Sequence, residues 1–231
     1  MSSFNLDREI ARLILFQRTE INGPFLKKLR KIFGRYIYTN VISKFLIPKK
    51  KISSRYFQLM LDEYNLLSRY LDFNNKKILS IGSGMCGLEL QINRHFSNNF
   101  YSIIEKNYVS KKIRYGWDNK NHEAYNNIEL LRLFLIKNQM KENAFEIFDF
   151  DTNNLPVKNY DYIISLYSLD YHYDFALYIE YFKKIINDKT KIIFDTIRPE
   201  YFQNIFENVE VIRNDQKIIH GSKRIICNKI K

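Results

Sequence analysis

Gly82, Gly84 and Gly87 stand in the spacing G-x-G-x-x-G directly after the apolar run Ile78-Leu79-Ser80-Ile81. Between a buried strand and a helix, such a turn brings backbone close to a ligand, and the spacing is one that adenine-containing ligands use. By itself it is equally a plain glycine turn, so its neighbours decide. Glu105 ends the apolar run Phe100-Tyr101-Ser102-Ile103-Ile104, about 20 residues past the turn, where a carboxylate can accept from both hydroxyls of a ribose. Asp149 and Asp151 follow a third run and can accept from an adenine amine, or simply form a turn, as Asp and Asn do for local hydrogen-bond reasons. Asp170, His172 and Asp174 lie past the carboxyl end of a fourth run, the edge of an open α/β sheet where ligands bind.

These residues need elements to hold them, and the pattern alternates. Strands are expected at Lys76 to Ile81, Phe100 to Ile104, Ala144 to Phe148, Tyr160 to Leu166 and Thr190 to Phe194. Helices are expected at Leu88 to Phe96, Glu123 to Asn138 and Phe175 to Ile186. Val209 to Arg213 and Ile218 to Cys227 then form two strands around a short polar turn at Asn214-Asp215, an antiparallel hairpin. The fold class is therefore α/β and Rossmann-like, with a mostly parallel seven-stranded sheet closed by the hairpin.

Residues 1–75 read differently, as a helical extension ahead of the α/β unit at 76–231. Leu6, Ile10, Leu13, Ile14 and Gln17 share one helical face until Asn22-Gly23-Pro24. A second helix is expected from Phe25 to Leu46, stopped by Pro48, and a third from an N-cap at Ser53 or Ser54. The extension either packs as a helical layer or forms a lid with Tyr56, Met60 and Tyr64 near the mouth of the site. Trp117, in a long segment after the second strand, is either a packing anchor or part of a substrate wall.

The chain has 231 residues, enough for one sizeable core, and 45% hydrophobic content. No run approaches a membrane span, no secretory signal is legible, and two cysteines make no disulfide framework or zinc site. The expectations are a cytoplasmic protein with no metal and no membrane partner. The net charge of +12 admits nucleic acid, although a chain rich in Lys, Asn, Ile, Tyr and Phe together gains lysines through an A/T-biased coding sequence.

Four motifs in order carry a family resemblance: Ile78-Leu79-Ser80-Ile81-Gly82-Ser83-Gly84-Met85-Cys86-Gly87, Ile103-Ile104-Glu105, Asp151-Thr152-Asn153-Asn154-Leu155-Pro156 and Tyr160-Asp161-Tyr162-Ile163-Ile164-Ser165. With the terminal hairpin, Lys76 to Lys231 resembles the class I S-adenosylmethionine-dependent methyltransferases, most of all those acting on small-molecule or sugar hydroxyls. The resemblance implies that Gly82, Ser83, Gly84 and Gly87 line the methionine part of S-adenosylmethionine, Glu105 holds the ribose, Asp151 or Asp149 meets the adenine, and Ser165 lies beneath the sulfonium. His172 is the first candidate for general base, since an imidazole titrates near neutral pH, with Asp170 and Asp195 as alternatives. Tyr56, Tyr64, Trp117, Tyr173 and Arg198 are the candidate substrate contacts. The chain lacks the proline-containing motif that amine-methylating DNA enzymes carry after the fourth strand, so nucleic acid is not favoured as acceptor. Two other classes share parts of the pattern: a nicotinamide-dependent oxidoreductase, and an RNA-binding or RNA-modifying subunit using the basic N-terminal helices.

Overall fold

The computed structural model describes residues 2–46, 48–110, 124–170, 174–214 and 221–231. Helix α1 (Arg8–Gln17) buries Ile10, Leu13 and Ile14, three positions of the face expected from the sequence. It ends before Asn22-Gly23-Pro24, through a 3-10 turn at Thr19–Ile21. Helix α2 (Pro24–Ile37) is shorter than expected. Gly34 sits inside it at φ 75° and ψ 170°, a conformation closed to ordinary L-residues, and so breaks the helical path. A wide turn at Tyr38–Ile42 and the short α3 (Ser43–Phe45) replace its second half.

Helix α4 (Lys49–Leu67) begins directly after Pro48 rather than at Ser53 or Ser54. Three lysines in its first turn oppose the helix dipole, a modest cost at an exposed end. Burial of Ile52, Tyr56, Phe57 and Met60 along the same helix outweighs it. Ser53 instead donates its hydroxyl to the Phe4 carbonyl, tying the N-terminal segment to α4.

The remaining elements are β1 (Lys77–Ile81), α5 (Gly87–His95), β2 (Phe100–Glu105), α6 (Ile128–Lys137), β3 (Phe145–Asp149), β4 (Tyr162–Ser165), α7 (Ile179–Ile185), β5 (Lys191–Thr196), α8 (Pro199–Phe202), β6 (Phe206–Arg213) and β7 (Lys223–Ile230). Helix α6 starts at an Asn127 cap, whose side chain accepts from the Leu130 N–H at 2.9 Å. Helix α7 is preceded by a 3-10 turn at Phe175–Tyr178 in place of its expected first turn.

The seven strands form one sheet in the order β3-β2-β1-β4-β5-β7-β6. The first five are parallel, and β7 runs antiparallel to both β5 and β6. The order reverses between β1 and β4, which opens a crevice at their carboxyl ends, and the glycine turn lies there. Register places Glu105 beside Asp149 and Asp195 beside Arg224, so several charged side chains arrive at one sheet edge.

Helices α4 and α5 run side by side in one direction, with Tyr56 against Gly87 at the start and Tyr64 stacked on His95 at the far end. One apolar cluster joins the N-terminal helices to the sheet, from Phe4, Ile14 and Tyr56 through Ile78 and Tyr101 to Ile226. A second, around Phe175, Phe182, Phe194 and Phe202, fills the opposite face. Among the described residues no helix is long and apolar enough to cross a membrane, and no group of His, Cys, Asp and Glu could hold a metal ion.

Candidate functional site

The glycine turn is held from three sides. Its Gly82 N–H donates to the Ile104 carbonyl at 3.0 Å, linking it to β2. Gly82 has φ +62°, and a Cβ there would lie 2.1 Å from the Ser168 hydroxyl oxygen. Replacing Gly82 with alanine is therefore expected to cost about 2 kcal/mol or more, from left-handed backbone strain plus the clash. Urea denaturation checks this, and adding Ser168→Gly should recover part of the loss.

Glu105 reaches back from the end of β2 and accepts the Gly84 N–H. Asn126 bonds to the same carboxylate and donates to the Gly84 carbonyl at 2.9 Å. Burial pushes the Glu105 carboxyl up to about 7, against the opposing pull of these hydrogen bonds.

The first turn of α5 is stoppered by side chains from the N-terminal helices. Gln17 accepts the Met85 N–H at 3.1 Å and donates to the Tyr125 carbonyl at 2.7 Å. The Tyr56 hydroxyl oxygen accepts the Gly87 N–H at 3.0 Å. Glu89, in the same first turn, is buried, and desolvation raises its pKa. The donors that an anionic pyrophosphate would use are thus taken, and a carboxyl group lies among them.

On the other flank, Asp149 caps a turn: it accepts the Asp151 N–H at 3.1 Å. Asp151 is exposed and meets Lys106 at 3.1 Å, and the Lys106 ammonium also lies 5.3 Å from the Phe150 ring centroid. Half-buried Phe148, Phe150 and Leu155 supply apolar surface beside Glu105 and Asp149.

Past β4 the arrangement is ionic. Ser165 is buried and uses its hydroxyl twice, donating to the Ile81 carbonyl at 2.8 Å and accepting the Leu169 N–H at 3.0 Å. It stitches β1 to the loop beyond β4. Asp170 is buried at φ 55° and accepts from Thr196 at 2.6 Å and from the Arg198 guanidinium. Arg198 also bonds Asp174 at 3.0 Å and stacks on Tyr201. These contacts hold the loop after β4 against the end of β5.

Asp195 is fully buried and accepts from Arg224 through Nε at 3.1 Å and Nη2 at 3.0 Å, from Arg213 at 3.3 Å, and from the Tyr167 N–H at 3.1 Å. Arg213 and Arg224 face each other across β6 and β7, a like-charge pairing that is unfavourable unless shared anions offset it. Burial alone would raise the carboxyl of Glu63 from α4, but it receives both guanidinium groups, which together outweigh that effect and hold it down at about 2. The register shift between Val211 and Arg213 turns Arg213 into this cluster. Tyr167, at φ 60°, has its hydroxyl bonded by Arg213 and its ring 5.0 Å from the Arg18 guanidinium and 5.6 Å from that of Arg224.

The structure therefore brings the glycine turn, Glu105, Asp149, Ser165, Asp170 and Asp195 to one sheet edge, and Tyr56 with them. Tyr64 is not among them, since it packs on His95 at the opposite end of α5. Trp117, His172 and Tyr173 lie outside the described residues. The sequence reading missed Gln17, Asn126, Lys106, Tyr167 and the Glu63–Arg213–Arg224 cluster. Gln17 carried a signal, as a polar residue on an otherwise apolar helix face.

No protein-family model matches the sequence, and no curated protein is similar to it. Solved structures are similar in fold. A protein of Nostoc punctiforme PCC 73102 assigned as an O-methyltransferase superposes at TM-score 0.51 with 12% identity, covering 96% of this chain and 71% of that one. PigF with SAH superposes at TM-score 0.50 with 14% identity, covering 74% of this chain and 56% of that one. Coclaurine N-methyltransferase bound to N-methylheliamine and SAH is 15% identical, with TM-score 0.43, over 62% of this chain and 36% of that chain. The chain thus spans about half of PigF and about a third of the coclaurine enzyme. With five parallel strands, the reversal between β1 and β4, and β7 antiparallel between β5 and β6, the chain has the fold of the class I S-adenosylmethionine-dependent methyltransferases.

Proposed function

We propose that the chain is an S-adenosylmethionine-dependent methyltransferase acting on a hydroxyl of a small molecule or sugar. The observation that carries the choice of cofactor is the stoppered start of α5. Tyr56 occupies the Gly87 N–H at its first residue, Gln17 the Met85 N–H just before it, and Glu89 lies buried in the first turn. A pyrophosphate would find these N–H groups already bonded and an acidic side chain beside them, whereas S-adenosylmethionine brings no phosphate that needs them. That weighs against the nicotinamide reading. At Gly82 and Gly84 the missing Cβ leaves room for Ser168 and Gln17 to pack directly on the turn, which fixes its shape.

In this reading Gly82, Ser83 and Gly84 line the methionine part. Glu105 accepts from the ribose, exchanging its bond to the Gly84 N–H for hydroxyl donors. Phe148, Phe150 and Leu155 cover the adenine, with Asp151 and Lys106 at its polar edge. When bound, the cofactor supplies an activated methyl group. The protein's task is then to align the acceptor and exclude water. Asp170 and Asp195 are committed to guanidinium groups, so they hold the loop after β4 in place and leave proton removal to His172. Tyr167, half-buried between the turn and the arginine cluster, takes the place of Tyr64 as a substrate wall.

Thermal denaturation with S-adenosylhomocysteine or with NAD tests the cofactor. Near a hundredfold excess over Kd, the former should raise Tm by about 5–10 °C and the latter should leave it unchanged. Stabilisation by NAD alone would overturn the reading. Labelled cofactor incubated with separate pools of sugars, metabolites and RNA then identifies the acceptor, and labelling confined to RNA would overturn the small-molecule class.

A further inference from the structure

We propose that the α2–α3 region docks this protein onto the surface of an anionic phospholipid bilayer. Residues 21–61 contain ten Lys and Arg and not one Asp or Glu, so this stretch holds most of the net charge of +12. Evenly inflated lysine content does not account for that segregation. Helix α2 is amphipathic in a particular way: Lys27, Lys28 and Lys31 occupy one arc, and Phe25, Leu29, Ile32 and Phe33 the other. Leu29 packs partly against the core, but Phe25, Ile32 and Phe33 of that arc face away from it.

Phe25 is 65% exposed, Ile32 62% and Phe45 67%, and Phe33, Val41 and Leu46 are exposed beside them. Elsewhere in the described structure exposed apolar side chains are scattered, which is ordinary; here they are contiguous in sequence with the cations. A groove lined by Phe25, Leu26, Phe45 and Leu46, with Lys51 and Arg55 in its walls, opens in the same region.

A bilayer surface is the occupant that uses both halves of this chemistry. Lys and Arg meet the anionic headgroups while Phe, Ile and Leu enter the boundary with the acyl chains. RNA would use the cations but gains nothing from Ile32, Val41 and Leu46, which neither stack on bases nor bond phosphate. A second copy would set ten positive charges against ten. That no helix among the described residues is long and apolar enough to span does not bear on this, since a helix lying on the membrane needs no such length.

The test is co-sedimentation of the full chain with vesicles of phosphatidylcholine alone or mixed with phosphatidylserine, at physiological salt. Binding is expected to the mixed vesicles and not to phosphatidylcholine. Lys27→Gln with Lys31→Gln should weaken it on the order of 30-fold, at about fivefold per basic residue. Phe25→Ser, Phe33→Ser and Phe45→Ser together keep the charge and should weaken it at least tenfold, with Tm unchanged because all three side chains are exposed. Equal binding to both vesicle types, no binding to either, or full retention by the triple serine variant would each overturn the proposal. So would a dimer in sedimentation that the triple variant abolishes, because the face would then belong to a second copy.

Discussion

Replacing Arg224 with methionine is expected to lower the unfolding free energy by about 3–5 kcal/mol, the largest effect of any single substitution considered. Arg224 is fully buried and bonds both Glu63 and Asp195, two carboxylates that are themselves buried. Without its guanidinium, Arg213 alone must serve both, and one charge is left short of partners in a low-dielectric interior. Urea denaturation reads the loss directly. A control separates lost packing from stranded charge: Glu63→Leu combined with Arg224→Met should be less destabilised than Arg224→Met alone. If the double variant is instead worse by the sum of two single effects, the cluster is not acting through charge compensation.

The pH dependence of this cluster has a definite sign. Glu63 is held at about 2 in the folded protein, below its ordinary 4.5, so its contribution is present above pH 4.5 and is lost as pH falls toward 2. Wild-type protein should lose stability over that acid window. Glu63→Gln should flatten it.

Glu105→Gln is expected to weaken S-adenosylhomocysteine binding by roughly 10- to 100-fold at pH 8, the worth of about 1.5–3 kcal/mol of charged hydrogen bonds. Here the sign runs the other way from Glu63. Burial raises the Glu105 carboxyl to about 7, so without ligand it contributes stability below pH 4.5 that is lost as pH rises through 7. The cost of ionising it is about 3 kcal/mol. Ribose hydroxyls donate to the carboxylate form, so ligand binding should release a proton, and affinity should climb between pH 6 and pH 8. Calorimetric titration across that range checks both statements. The variant should show a flat profile and, without ligand, should be more stable than wild type at pH 8. Unchanged affinity in the variant would remove Glu105 from the cofactor site.

The two carboxylates differ because of what surrounds them, and the difference is tertiary. Glu63 sits on α4, far in sequence from Arg213 and Arg224, and nothing local announces the meeting. Asp195 illustrates the same point from the other side. Its position at the end of β5 was readable, and so was its nearness to the ligand edge, but its partners come from the hairpin beyond.

What the amino-acid order determined by itself was periodic and local. Apolar runs of strand length alternating with helical faces specify the parallel sheet and its closing hairpin. Glycines at 82 and 84 mark a turn whose left-handed backbone glycine adopts freely, Gly87 leaves room for Tyr56 and Met60, and the acid after the second strand follows from topology alone. Element ends were less legible. Gly34 interrupts a pattern that stays amphipathic past it, and α4 starts on lysines because burial downstream outweighs their cost. Only the tertiary structure decided which polar groups are already spent. Gln17 and Tyr56 stopper the start of α5 from positions more than thirty residues upstream, and guanidinium groups consume Asp170 and Asp195. The glycine turn specifies a close approach between backbone and ligand. Whether the ligand's charge is welcome there depends on side chains that folding brings from elsewhere, because electrostatic preference is set by distance in space rather than by spacing along the chain.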